Sequence, residues 1–129
     1  MVDLFGNLTL LQHSLDYHLR RHGLLASNIA NAETPGYQPL DLSFQATLSR
    51  TVDLRGSDAR HLGASEESRF SRGIFTDPSG TPGNDGNTVS LDREMAKLTA
   101  NSIRYRSAAE MLGRRVAMLR YAVSDGQRH

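Results

Sequence analysis

The sequence predicts a mainly α-helical protein whose long N- and C-terminal helices pack as a coiled coil, joined by a long irregular middle that is partly extended or disordered. Three observations lead to this prediction. At both ends of the chain, apolar residues recur at alternating spacings of three and four, as in helices that pack on other helices. Between the ends lies a polar stretch rich in Gly and Pro. Hydrophobic residues make up only 38% of the chain and aromatic residues only 6%, too few for a large single core.

The first helix is predicted to run from Leu4 to Ala32. Its apolar stripe has a gap that His18 and His22 fill. The helix is expected to stop at the sequence Thr-Pro-Gly-Tyr, because Pro35 lacks a main-chain donor and disfavours the helical conformation at Thr34. Pro followed by Gly also suits the central positions of a type II turn. The positions of this helix predicted to pack are Leu8, Leu11, Leu15 and Leu25.

The middle segment, residues 38–89, has a different composition. Leu40, Leu42 and Phe44 alternate with polar residues, which is typical of a short strand, but Phe44 and Leu48 could equally share a helical face. The periodicity leaves both possibilities open. Residues 73–87 predict a short extended piece followed by turns. Much of 50–88 is expected to be loop, partly disordered without a partner.

The last segment, residues 90–129, carries the clearest pattern. Ser90 is a suitable N-cap, and Asp92 and Glu94 lie in the first turn, where the helix dipole favours negative charge. Asp125 and Gly126 are expected to end the helix. With residues 1–37 as the N-terminal segment, the two helices are predicted to form one axial core. The packing positions of the last helix are Leu91, Met95, Leu98, Tyr105, Leu112, Val116, Leu119 and Val123.

Several kinds of chemistry are not expected. The chain has no Cys, so a disulfide or a thiolate site is excluded. His18 and His22 lie four apart and could share a metal, but His13 is on another face and a third ligand is missing. Carboxylates two apart on a helix, such as Asp92 and Glu94, do not face each other and make a poor acid/base pair. We therefore expect no enzymatic activity, no metal and no cofactor.

Two other functions compete with a structural one. The last segment carries eight Lys and Arg against four acids, which could indicate a nucleic-acid partner. However, these cations are scattered around the helix, Glu94 and Glu110 interrupt them, and the chain as a whole has a net charge of only +1. A coiled-coil adaptor forming small closed oligomers is the other alternative, whereas a head-to-tail contact that does not close would give an open helical array.

A motif at the end of the first helix is similar to a known one. It closely resembles the N-terminal motif of the flagellar rod and hook protein family, Ala-Ser-Asn-hydrophobic-Ala-Asn-x-x-Thr-Pro-Gly-Tyr. The segment from residue 85 onward, with Asp85-Gly86-Asn87 and Leu91-Asp92-Arg93-Glu94-Met95, resembles the C-terminal helix of a short rod protein of that family. The motifs cover about half of the chain, and larger members insert domains for which this chain has no room. The matching motif residues are Ala26, Ser27, Asn28, Ile29, Ala30, Asn31, Thr34, Pro35, Gly36 and Tyr37.

The resemblance implies a structural subunit of the proximal rod of the bacterial flagellar basal body, in the part of the flagellum that spans the periplasm. It implies self-assembly through the terminal helices into a helical drive shaft that transmits torque and encloses the export channel. The implied partners are copies of the chain, other rod proteins, the MS-ring and export-gate base, and the rod-base adaptor protein. Export by the flagellar type III apparatus is implied too, which agrees with an N-terminus that lacks a cleavable secretory signal. Neither nucleic-acid binding nor direct membrane insertion is expected.

Overall fold

The computed structural model describes residues 4–44 and 73–125. The segment 45–72, which includes Leu48 and most of the predicted loop, lies outside the described residues. The described part contains two long helices and two short strands. In chain order the elements are α1 (Leu4–Ala30), β1 (Leu40–Leu42), β2 (Ile74–Thr76) and α2 (Leu91–Asp125).

The two helices pack against each other in antiparallel orientation. His18 of α1 contacts Asn101 of α2, and Asn28, further along α1, contacts Glu94, nearer the start of α2. At 1.5 Å per residue, α1 is about 40 Å long and α2 about 52 Å. The structure therefore confirms the predicted mainly α-helical fold with packed terminal helices.

The turn after α1 confirms the prediction for Thr34-Pro35-Gly36-Tyr37. The main-chain N–H of Tyr37 donates to the carbonyl oxygen of Thr34 at 3.2 Å, which closes a four-residue turn. Gly36 has a φ of 71°, the left-handed conformation that a type II turn requires at its third position. The regular helix ends at Ala30, two residues before the predicted end. The chain then tightens into turns in which Ala32 donates to the Ile29 carbonyl and Thr34 donates to the Asn31 carbonyl.

A two-stranded antiparallel sheet lies on α1. Leu40 pairs with Thr76, and Leu42 pairs with Ile74. The strand alternative therefore holds for Leu40–Leu42, whereas Phe44, the last residue described before the gap, is helical. The extended piece predicted within 73–87 is β2. Leu42 is buried, and its carbonyl oxygen accepts a hydrogen bond from the Tyr17 hydroxyl group at 2.8 Å.

Asp41 in β1 is the strand's ionic contact with α1. Its carboxylate receives two hydrogen bonds from the Arg21 guanidinium, at 2.6 and 2.7 Å. This bond with Asp41 raises the pKa of Arg21. A two-oxygen pairing of this kind fixes orientation as well as distance, so it sets how β1 sits on the helix.

The segment between β2 and α2, residues 77–90, folds back onto the helix ends. The N–H of Gly36 donates to the carbonyl of Asp85 at 3.0 Å, and the N–H of Thr88 donates to the carbonyl of Tyr37 at 3.1 Å. Gly86 also has a positive φ, 75°, and lies close enough to Gly36 that the two turns stack. Part of the predicted loop is thus an ordered turn that joins the two helices.

The interior of the described part is unusually polar for so small a domain. Its buried hydrophobic residues are Tyr17, Leu25, Leu42 and Ala108. Within the described ranges every buried side-chain nitrogen and oxygen has a hydrogen-bond partner, as a stable polar interior requires. The buried polar residues are His18, Asn28, Asp41, Asn87, Glu94 and Asn101.

Candidate assembly site

The face of α2 that contacts α1 only partly coincides with the predicted packing positions. Glu94, Asn101 and Ala108, spaced seven apart, are buried on this face. They occupy the row beside the predicted stripe. Of the predicted positions, Leu98, Leu112 and Leu119 are half-buried along the edge of the same face.

The other five predicted positions of α2 are exposed. One of them, Tyr105, is 37% exposed and lines a groove beside α1. We call the remaining four residues the apolar flank: Leu91, Met95, Val116 and Val123. Their side chains are 47%, 54%, 40% and 66% exposed. The predicted apolar pattern consists of two rows that lie on neighbouring faces of the helix. The helix α1 covers only the row that lies next to Glu94 and Asn101. The single chain therefore leaves half of its longest apolar pattern uncovered.

The predicted positions of α1 face inward to different degrees. Leu25 is fully buried, whereas Leu8, Leu11 and Leu15 are half-buried. His18, which was expected to fill the gap in the stripe, is buried against α2. His22 is exposed.

The buried end of His18 has a defined hydrogen-bond pattern. The Asn101 amide nitrogen donates to the main-chain carbonyl of His18 at 2.8 Å, so its oxygen faces the imidazole ring. Nδ1 of His18 lies 2.8 Å from that oxygen and must donate to it. Asn101 thus binds both the ring and the backbone of one α1 residue. Among the described residues no cluster of three or more metal-ligating groups exists.

Asn28 connects three parts of the molecule. Its amide nitrogen donates to the Leu40 carbonyl at 2.8 Å and to the Glu94 carboxylate at 2.7 Å. Its amide oxygen accepts from the Leu40 N–H at 3.0 Å and from the Tyr37 hydroxyl at 3.3 Å. The motif residue Asn28 therefore uses its full bonding capacity within its own chain, to β1, the turn and α2.

The second asparagine of the motif, Asn31, has a local role. Its amide donates to the Ser27 carbonyl at 2.9 Å, one helical turn back, and its oxygen accepts from the Thr34 hydroxyl at 3.1 Å. Tyr37 is half-buried and Ile29 is half-buried, so they also face the chain's own interior. The remaining motif residues point to solvent: Ala26, Ser27, Ala30, Thr34, Pro35 and Gly36 are exposed.

Asn87, in the turn that precedes α2, caps the end of α1. Its amide nitrogen lies 3.1, 2.9 and 2.7 Å from the carbonyl oxygens of Asn31, Ala32 and Thr34. Carbonyl groups at a helix C-terminus have no partner within the helix. The two hydrogens of this amide are shared among the three carbonyl oxygens, so one side chain from the Asp-Gly-Asn turn caps the end of α1.

A charged network anchors β2 to the start of α2. Lys97 donates to the Glu94 carboxylate at 2.7 Å and also to the Asp77 carboxylate. The Arg93 guanidinium donates to the main-chain carbonyl of Ser79. Burial alone would raise the pKa of Asp77, but its bonds with Lys97 and with Ser79 outweigh burial and lower this pKa to about 2. Glu94 of α2 is therefore bonded to α1 through Asn28. Through Lys97 it is also linked to Asp77, the residue that follows β2.

The low pKa of Asp77 predicts a dependence of stability on pH. Because its pKa falls from 3.8 to about 2 on folding, its ionised form stabilises the fold at neutral pH. This contribution is complete above about pH 4 and is lost as the pH falls through 2. We expect the difference in free energy of unfolding between wild type and Asp77→Asn to shrink over that interval. Urea unfolding at a series of pH values measures it, and a difference that stays constant from pH 6 to pH 2 would contradict the assignment.

Several residues that bind the end of α1 to the start of α2, a region we call the junction, were not found from sequence patterns alone. Arg21, Asp41, Asn87 and Asn101 were not predicted as packing positions, and Glu94 was interpreted as a first-turn anion. Polar side chains at buried positions resemble surface residues in a single sequence. One signal was present in the chain: Glu94, Asn101 and Ala108 recur every seven residues beside the apolar stripe.

Comparison with known proteins decides which family this is. A flagellar basal body rod protein FlgB of Cereibacter sphaeroides is 39% identical over 106 residues, covering 80% of this chain and 82% of that protein. The chain belongs to the FlgB family of flagellar basal body rod proteins. A FlgB of Yersinia enterocolitica is 32% identical, with 95% of this chain and 97% of that protein covered. The FlgB of Escherichia coli K12 is 31% identical over 89% of this chain and 91% of that protein. No protein-family model matches the chain.

FlgB membership makes the protein a structural component of the flagellar basal body rod. The matches to the Yersinia and Escherichia proteins extend over nearly the whole chain, so they include the residues between the helices as well as both motifs. Within the described residues, no helix has the length and apolar character to cross a membrane.

Proposed function

We propose that this FlgB chain is a subunit of the proximal rod that self-assembles through its terminal helices into the helical drive shaft. That shaft transmits torque and encloses the export channel. The apolar flank carries the proposal. Leu91 and Met95 near the start of α2, and Val116 and Val123 near its end, are apolar side chains on one side of the helix that remain exposed in the single chain. Covering them with another helix stabilises the assembly by removing them from water.

The two ends of the helix pair differ. Hydrogen bonds join the helices at one end, and apolar side chains are exposed at the other. The junction around Asn28, Glu94 and Asn87 binds the end of α1 to the start of α2. Further along α2, large apolar side chains are exposed on several sides, including Met111 at 60%, Met118 at 71% and Tyr121 at 71%. We propose that this second half of α2 is enclosed by neighbouring subunits in the rod.

The proposed partners are copies of this chain and other rod proteins. At the base of the rod they include the MS-ring and export-gate base and the rod-base adaptor protein. The exposed motif residues Ala26, Ser27, Ala30 and Pro35 are proposed to contact them, since small side chains let a neighbouring backbone come close. Export is proposed to use the flagellar type III apparatus.

A charge on the apolar flank tests the assembly role. We expect Val116→Asp with Val123→Asp to leave the single chain folded, because both side chains already face solvent. In the assembled rod each carboxylate would be buried without a partner, at a cost of about 3 kcal/mol or more per subunit. Basal bodies purified from a strain carrying the double variant should lack the chain, and the cells should not swim.

The matched control places the same charges on the opposite side of α2. Ala100→Asp and Ser107→Asp change exposed side chains that lie about half a helical turn away from Val116 and Val123 and in the first half of α2, so this double variant should be incorporated. Circular dichroism of both purified variants shows whether the helix content is kept. Normal incorporation of the Val116 and Val123 variant would refute a contact through the apolar flank.

A further inference from the structure

The helix α1 lies against a polar row of α2, although a more apolar row is close by. The polar row consists of Glu94, Asn101 and Ala108, which repeat every seven residues and are buried. Further round the same helix, Met95 and Val116 are 54% and 40% exposed. Turning α2 so that these two side chains faced α1 would remove more apolar surface from water. The observed arrangement therefore needs a cause other than the burial of apolar surface.

Asn101 binds one residue of α1 in two ways. Its amide nitrogen donates to the main-chain carbonyl of His18 at 2.8 Å, and its amide oxygen accepts from Nδ1 of the same residue, also at 2.8 Å. Both side chains are buried. The residues seven positions before and after His18 are Leu11 and Leu25, whose side chains form no hydrogen bonds. Any other placement of α2 on this row would thus leave Asn101 and His18 without each other, which is unfavourable for buried polar groups.

The same contact leaves one side of the helix pair open. The sheet contacts α1 at Tyr17. On the other side of His18, a groove of about 260 Å³ lies between α1 and α2. It is bordered by Leu19 of α1, which is 60% exposed, and by Ser102 of α2. Ser102 belongs to the heptad row of Val116, so the open side continues along α2 toward the apolar flank.

We infer that Asn101 is a positioning residue, whose bonds to His18 hold α1 on the polar row and so keep the row of Met95 and Val116 free for neighbouring subunits. The junction fixes one point of this row, at Glu94. Asn101 lies about 10 Å further along α2 and fixes a second point, which sets the direction of α1 across α2. One buried polar residue can select a single arrangement of packed helices in this way. The consequence for assembly rests on the proposed rod function.

Removing both members of the pair tests the positioning role without leaving either one unpaired. His18→Leu with Asn101→Leu introduces apolar side chains of similar size, so the purified chain should keep its helix content and its stability in urea. The arrangement of the helices should change instead. Spin labels attached through Gln12→Cys in α1 and Ser107→Cys in α2 report it, because both positions are exposed and the chain has no Cys. Pulsed electron paramagnetic resonance should give one main distance between the labels without the Leu substitutions and several distances with them.

Incorporation into basal bodies is the second readout. We expect the native arrangement of the double variant to fall to about a tenth of the molecules, and its incorporation to fall by a similar factor.

His18→Asn is the matched control. Its amide nitrogen takes the place of Nδ1 and can donate to Asn101 in the same way. This variant loses ring atoms from a buried position, so it should unfold at a lower urea concentration than the double variant. It should nevertheless keep one main distance between the labels and be incorporated like wild type. A purely structural role would give the opposite order, with the more stable chain incorporated better.

An unchanged single distance in the double variant would overturn the inference. So would a His18→Asn chain as heterogeneous and as poorly incorporated as the double variant, because the hydrogen bond would then not be the cause. Several distances together with normal incorporation would refute the link between this contact and assembly. None of these results bears on the rod function itself, which the apolar-flank variant tests separately.

Discussion

We expect Asn28→Ala to destabilise the folded chain by about 3–5 kcal/mol. The Asn28 side chain, 1% exposed, makes four hydrogen bonds. Its removal leaves the Leu40 main-chain groups and one oxygen of the buried Glu94 carboxylate without partners. Each unsatisfied buried group costs about 1–3 kcal/mol, and more for a charged one. Thermal and urea unfolding followed by circular dichroism measure the loss.

The same motif offers a matched control, Asn31→Ala. Asn31 bonds only to its own helix turn and to Thr34, at the surface, so its loss should cost under about 1 kcal/mol. Asn28→Asp should be at least as harmful as Asn28→Ala, because it places a second carboxylate 2.7 Å from the Glu94 oxygen. Equal losses for Asn28→Ala and Asn31→Ala would show that the two motif asparagines do not have the separate roles described here.

Gly80→Ala should strongly destabilise the fold. A Cβ at Gly80 would lie 1.8 Å from the Thr88 carbonyl oxygen and 2.8 Å from its carbon. Both are main-chain atoms, so no side-chain rotation relieves the overlap. The backbone must shift, and with it the bond from the Thr88 N–H to Tyr37. We expect a loss of about 3 kcal/mol or more in the free energy of unfolding.

Gly113→Ala is a control for which we expect the opposite change in the free energy of unfolding. Gly113 lies within α2, and an added Cβ there would meet no atom within 4 Å beyond its chain neighbours and the adjacent backbone of its own helix. Ala in place of Gly within a helix stabilises it by about 1 kcal/mol. In the purified chain, Gly80→Ala should therefore lower the unfolding midpoint while Gly113→Ala raises it. A small effect of Gly80→Ala would mean that the turn between β2 and α2 is not packed against Thr88 in solution.

Elements whose conformation depends only on residues close in sequence could be predicted from apolar spacing and turn residues. The apolar spacing of both ends predicted two long helices, and the structure has them at Leu4–Ala30 and Leu91–Asp125. Pro35 followed by Gly36 predicted a type II turn, since only a residue that tolerates positive φ fits its third position. These features need no information about what lies elsewhere in the fold.

Tertiary structure decided which row of α2 faces α1. The strongest apolar pattern predicted a contact centred on the row of Leu91, Met95 and Leu98, yet Glu94 and Asn101 are the residues that are buried. They are buried because His18 and Asn28 on α1 offer them hydrogen bonds at matching positions. A polar residue can occupy an interior position only when a distant partner satisfies it, and a single sequence does not show which residues will be partners.

The dependence of buried polar residues on distant partners also explains which features of the protein could be predicted from the sequence. The sequence by itself determined two amphipathic helices, a sharp turn after the first, and more apolar surface than the chain's own contacts cover. Only the folded chain brings Asn87 to the end of α1, 53 to 56 residues away in sequence, and Asp41 to Arg21. These contacts depend on the relative placement of the helices, which follows from the whole set of polar pairs acting together and not from any local propensity.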